Sequence, residues 1–134
     1  FRYCADRPII DIKKIKRYIS SSKKIRFDLM TTNYGNDKID EGFTIEIFNA
    51  SSFKKMLNYE LTDNDKEHIA NYFYKKQKMF FIKKIKFYKN FKKGYKYTID
   101  SVKDLSKMNF ILKNYNPNNI NSVVDLSEKY EKLN

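Results

Sequence analysis

Between His68 and Ile99 the chain carries ten lysines and no Asp or Glu. Aromatic residues are threaded through the same stretch at Tyr72, Phe73, Tyr74, Phe80, Phe81, Phe87, Tyr88, Phe91, Tyr95 and Tyr97. Few folds accommodate such a segment: the rings must be buried, while the ammonium groups must reach water or a counter-charge. Strand alternation achieves both, because successive side chains point to opposite faces. Met79 to Lys89 and Gly94 to Ile99 accordingly read as a hairpin turning around Asn90 to Gly94. Lys84, Lys86 and Tyr88 fall on one face, with Lys96 and Thr98 beside them; Met79, Phe81, Ile85 and Phe87 fall on the other, toward helices. A solvated face would mix both signs of charge. A single-sign field beside rings suits a polyanion, since lysines neutralise phosphates and rings stack on bases. An ordinary basic hairpin with its rings in the core gives the same pattern and stays open.

The rest of the chain supplies helices and further strands. Ile12, Ile15 and Ile19 recur at helical spacing after Arg7-Pro8, and Ser20-Ser21-Ser22 closes that helix. Lys23 to Thr32 alternates as a strand, Asn33 to Asp37 is turn chemistry, and Phe43 to Phe48 is a second strand with Phe43, Ile45 and Ile47 on one face. Phe53 to Leu61 fits a strand or a helix equally. Thr62-Asp63-Asn64-Asp65 caps a helix carrying Ile69, Tyr72 and Phe73. Ser101 to Asp104 opens another helix, which ends before Asn116-Pro117, and a last one carries Val123, Leu126, Tyr130 and Leu133. The order predicts one α+β domain over 1–134, with an antiparallel sheet and helices packed on one face.

Composition narrows the partners. A formal charge of +12 over 134 residues favours nucleic acid or an anionic surface. No apolar run approaches the roughly 20 residues that span a bilayer. The lone Cys4 excludes an internal disulfide framework and fits a reducing, intracellular setting. Heavy use of Lys, Asn, Ile, Tyr and Phe points to AT-rich coding, as in an organelle, a phage or a virus. No signal peptide, phosphate loop or nucleophile elbow is read in the sequence. The single His68 reads as a helix-surface residue, and Asp63 to Asp65 as a cap rather than a calcium loop. Asp40-Glu41 could serve one metal ion or simply be solvated turn residues.

Four segments resemble the LAGLIDADG homing endonucleases. They are Ile39 to Ile47 (a motif-helix-to-strand junction), Leu57 to Phe73 (strand and middle helix), Tyr95 to Leu105 (last strand and helix start) and Asn114 to Pro117. Together they cover about residues 39 to 133. The resemblance implies a saddle-shaped antiparallel sheet lying in a DNA groove. It also implies Glu41 as the acid that would hold Mg²⁺ and act catalytically, paired across a homodimer. Asn33 to Asp37 offers turn formers where the motif helix should pack, so the expectation is a degenerate scaffold that binds without cutting. The binding residues are then Lys83, Lys84, Lys86, Tyr88, Lys89, Lys92, Lys93 and Lys96. No cofactor is expected beyond Mg²⁺ at an intact centre. An alternative is a structural RNA-binding subunit of a ribonucleoprotein, such as an organellar ribosome. Third, Lys83 to Tyr88 followed by Thr98 to Leu105 resembles the CYTH triphosphate-tunnel enzymes, which need alternating glutamates where Glu46 and Glu60 stand isolated.

Overall fold

A computed structural model describes residues 1–33, 40–86 and 94–134. Its centre is a three-stranded mixed sheet in the order β2-β1-β3. The strand β1 (Leu29–Thr31) lies between β2 (Glu46–Phe48), antiparallel to it, and β3 (Ile82–Lys84), parallel to it. All three β1 residues are buried. Leu29 packs with Met56, Phe73 and Phe80 on one face, and Met30 with Tyr18, Phe27 and Ile47 on the other. Simple alternation would have given Met30 to solvent with Arg26 and Asp28. It is buried because helix α1 (Ile12–Ser22) covers that second face through Tyr18, Ile15 and Ile19.

Local chemistry sets where each helix starts. Helix α1 begins four residues after Pro8, where the Asp11 carboxylate accepts from the Lys14 amide at 2.9 Å. Ile12, the first residue of the expected stripe, is 59% exposed. Of the segment open to either assignment, Phe53 to Met56 join α2 (Ala50–Met56), which Asn49 starts by accepting from the Ser51 and Ser52 amides, and Leu57 to Leu61 is neither helix nor strand. The Thr62 cap is realised in full: Thr62 accepts from the Asp65 amide and Asp65 from the Thr62 amide, opening α3 (Asp63–Glu67). The chain breaks at His68 (φ −114°, ψ 70°) and continues as α4 (Ile69–Lys75). Ser101 caps α5 (Val102–Asn114), which packs with α6 (Ser122–Leu133). Met108, Ile111, Val123 and Val124 form their shared core with Ile9, Phe43 and Tyr97.

The fold is therefore α+β, as expected, but its strands pair differently. The expected hairpin turn falls largely in 87–93, outside the described residues. On its near side, β3 runs parallel to β1, and on its far side Lys96 bridges Glu41. Asp28 explains the first pairing. Its amide donates to the Phe81 carbonyl at 2.8 Å, and its carboxylate accepts from the Phe81 amide at 2.6 Å and from the Ser52 hydroxyl. That clamp starts β3 alongside β1. It also departs from the expected facing at the start of the strand, where Phe80 is buried and Met79 and Phe81 are 43% and 54% exposed, whereas further along Ile85 packs on the core and Lys84 and Lys86 are exposed, as expected. A mixed sheet with a parallel pair is not the antiparallel saddle. No helix among the described residues is long and apolar enough to cross a membrane.

Candidate functional site

Among the described residues, the predicted site residues fall in separate places. Lys83 and Lys84 are exposed on β3, at one edge of the described sheet, and Lys86 is exposed just beyond it. Lys96 is drawn the other way, ion-paired with Asp100 at 2.9 Å and Asp104 at 2.8 Å. Those two hydrogen bonds, Asp104 first, hold its ammonium well above the usual lysine range. Thr98, expected beside it on the open face, is 4% exposed. Tyr88, Lys89, Lys92 and Lys93 lie outside the described residues. Glu41 is exposed and joined to the rest through its backbone, its amide donating to the Tyr95 carbonyl at 3.2 Å. No group of three metal-ligating side chains gathers there or elsewhere among the described residues, so Glu41 has no visible ligand set for Mg²⁺. Its neighbour Asp40 is 2% exposed and accepts from the Gly94 amide at 2.7 Å, a structural turn acid rather than a solvated one.

A different set of residues does converge. A cleft of about 560 Å³ opens where the N-terminal segment, β2 and the α3–α4 junction meet. The N-terminal segment contributes Arg2, Cys4, Asp6 and Arg7, β2 and the residues just before it Glu46 and Thr44, and α3, α4 and the break between them Glu67, His68, Asn71 and Tyr74. Backbone pairing fixes the first wall, since Arg2 forms an antiparallel bridge with Glu46. The Arg2 guanidinium donates to the Glu67 carbonyl at 3.2 Å, and Arg7 Nη1 donates to the Thr44 carbonyl at 3.1 Å. Arg7 Nε is buried and has no hydrogen-bond partner among the described residues. The break at His68 turns α4 so that Tyr74 reaches Glu46, its hydroxyl 3.3 Å from Oε1.

Two arginines, Arg2 and Arg7, share the cleft with three acids, Asp6, Glu46 and Glu67. Burial pushes the Glu46 carboxyl up, while Arg2, the Tyr74 hydroxyl and Arg7 pull it back toward ionisation. Burial likewise raises the Tyr74 hydroxyl, keeping it a neutral donor. Arginine forks beside a carboxylate, a histidine and an amide can grip an oxyanion and still offer a proton acceptor. None of the lysine run lines this cleft. One signal for it was in the sequence: only four of the 28 basic residues are arginine, and Arg2 and Arg7 are two of them.

No protein-family model matches the chain. No curated protein matches it either. Among solved structures it is similar to a cytidylyltransferase from Leptospira borgpetersenii serovar Hardjo-bovis, with a TM-score of 0.73 and 24% sequence identity. The match covers 95% of this chain and 53% of that one, so the chain spans about half the length of its structural neighbour. At this identity the likeness is one of fold. Neither the LAGLIDADG nor the CYTH resemblance gains support from it.

Proposed function

We propose that this domain contributes the anion-binding side of a nucleotidyl-transfer site, with the Arg2–Arg7–Glu46–His68 cleft receiving a phosphate-bearing ligand. The observation that carries the reading is Arg7: a guanidinium held by one nitrogen, with a second buried and unpartnered, on the wall of a cleft that also holds a carboxylate. A guanidinium carries five N–H donors and the Thr44 carbonyl takes one, so the fork keeps donors for an oxyanion in the cleft. The likeness in fold to a cytidylyltransferase supplies the ligand class to try first. Because this chain spans about half of that neighbour, the reading asks for ligand binding and not for turnover by these residues alone. Calorimetric titration with CTP, with and without Mg²⁺, should detect saturable binding. Arg7→Gln should weaken it on the order of tenfold, the worth of one hydrogen bond to a charged group. Binding that ignores Arg7→Gln and Arg2→Gln together would remove the cleft from consideration.

A second reading, nucleic-acid binding, is favoured by one observation: Lys83, Lys84 and Lys86 are all exposed along the β3 edge. Such an edge can track a phosphate backbone without any pocket.

A further inference from the structure

Thr31 and Glu46 are direct register partners across the β1–β2 ladder, so their side chains rise from the same face of the sheet. Tyr74 reaches across from α4 onto that pair. Its hydroxyl lies 2.9 Å from Thr31 Oγ1 and 3.3 Å from Glu46 Oε1. Behind Thr31, the Asn33 amide donates to the same Oγ1 at 2.9 Å. A phenol and a hydroxyl have one proton each. If Tyr74 gives its proton to the carboxylate, Thr31 must give its own to Tyr74, and the Asn33 amide supplies Thr31. Every donor in the series then points toward Glu46, and each bond polarises the next.

We propose that Tyr74 is a positioning residue for Glu46, fixing Oε1 through a one-way donor chain from Asn33 and Thr31 so that the carboxylate stands ionised in the cleft. The proposal rests on reading the cleft as a ligand site. A tyrosine that merely stapled α4 to the sheet could bond any backbone carbonyl; this one meets the half-buried acid of the cleft and is itself backed by two further donors. The other charged and titratable groups around Glu46 are Arg2, Arg7, Cys4 and Asp6 from the N-terminal segment, with Glu67 and His68 from the helix junction. The two arginines act with the chain and the acids against it, which makes the contribution of Tyr74 separable only by removing its hydroxyl.

The test follows the Glu46 side-chain carboxyl by ¹³C NMR across pH in the free protein, its signal assigned through Glu46→Gln. Tyr74→Phe keeps the ring and removes the hydroxyl, so the Glu46 titration should move to higher pH, by on the order of tenfold in proton affinity. Thr31→Val, which cuts the chain one bond earlier, should move it in the same direction by less, and provides a second route if Tyr74→Phe folds poorly. A titration unmoved by both variants overturns the donor chain while leaving the cleft as a ligand site. A titration that moves as expected in a protein that binds neither CTP nor its Mg²⁺ complex keeps the chain and overturns the reading of the cleft.

Discussion

Gly42 shows how a single position can fix the route of the chain. Its φ is +106°, and a Cβ there would sit 2.8 Å from both the Tyr97 carbonyl carbon and its oxygen. The strain and the clash act together, because the Tyr97 backbone is held by its amide donating to the Glu41 carbonyl at 2.8 Å. Gly42→Ala should therefore cost about 2 kcal/mol or more in urea unfolding. Gly94, with φ +73° and open space around its Cα, serves as the control, and its alanine variant should cost about 1 kcal/mol. Equal losses would mean that the approach of Tyr97 is not what excludes a side chain at Gly42. Neither requirement was legible from the residues themselves, because the partner backbone comes from a segment more than fifty residues away along the chain. What could be read locally was the burial pattern of Phe43, Ile45 and Ile47, which holds because it depends only on strand alternation.

At the level of elements, sequence reading succeeded where a motif closes on itself and failed where pairing is long-range. The Thr62–Asp65 box is local and formed as expected. The pairing of β3 is long-range, set beside β1 by the Asp28 clamp on Phe81, and nothing near it in the chain announces it. Asp65 also does more than cap. Its Oδ1 meets Lys75 at 2.7 Å, tying the start of α3 to the end of α4 across the break at His68. Hydrogen bonds from Lys75 and then Thr62 hold its carboxyl down at about 2. A carboxyl whose folded value is depressed stabilises the fold above its unfolded value of about 3.9 and loses that contribution as pH falls through the folded one. Asp65→Asn should thus lower Tm by several degrees at pH 7, and the gap from the parent should close between about pH 4 and pH 2. A gap that persists unchanged to pH 2 would assign the loss to packing rather than to charge.

At the scale of the whole molecule, the +12 charge and the cleft make separate demands. The charge was legible because it is a property of composition; the cleft was not, because it joins Arg2 and Arg7 to Glu46 and Tyr74, and only the folded sheet and the turn at His68 bring them together. Among the described residues, the rings that suggested base stacking largely serve the core instead: Tyr72, Phe73, Phe80 and Tyr97 are all buried. The exposed lysines of the β3 edge offer a polyanion charge, and charge has a measurable signature. Each phosphate neutralised on duplex DNA contributes about −0.9 to the slope of log K against log salt, and about −0.7 on a single strand. Reversing Lys83, Lys84 and Lys86 to Glu should thus flatten the slope by roughly 2 to 3 and cut affinity for both forms at moderate salt. The same triple variant should leave CTP affinity within about twofold, because none of the three lines the cleft and long-range charge is screened over about 8 Å at physiological salt. Arg7→Gln should do the reverse, weakening CTP and leaving the salt slope nearly untouched. If the triple variant binds duplex and single strand as the parent does, the β3 edge is an ordinary solvated surface and the nucleic-acid reading falls. If instead it loses CTP and nucleic acid together, the two ligands share one electropositive surface, and the separation of edge from cleft is the part that fails.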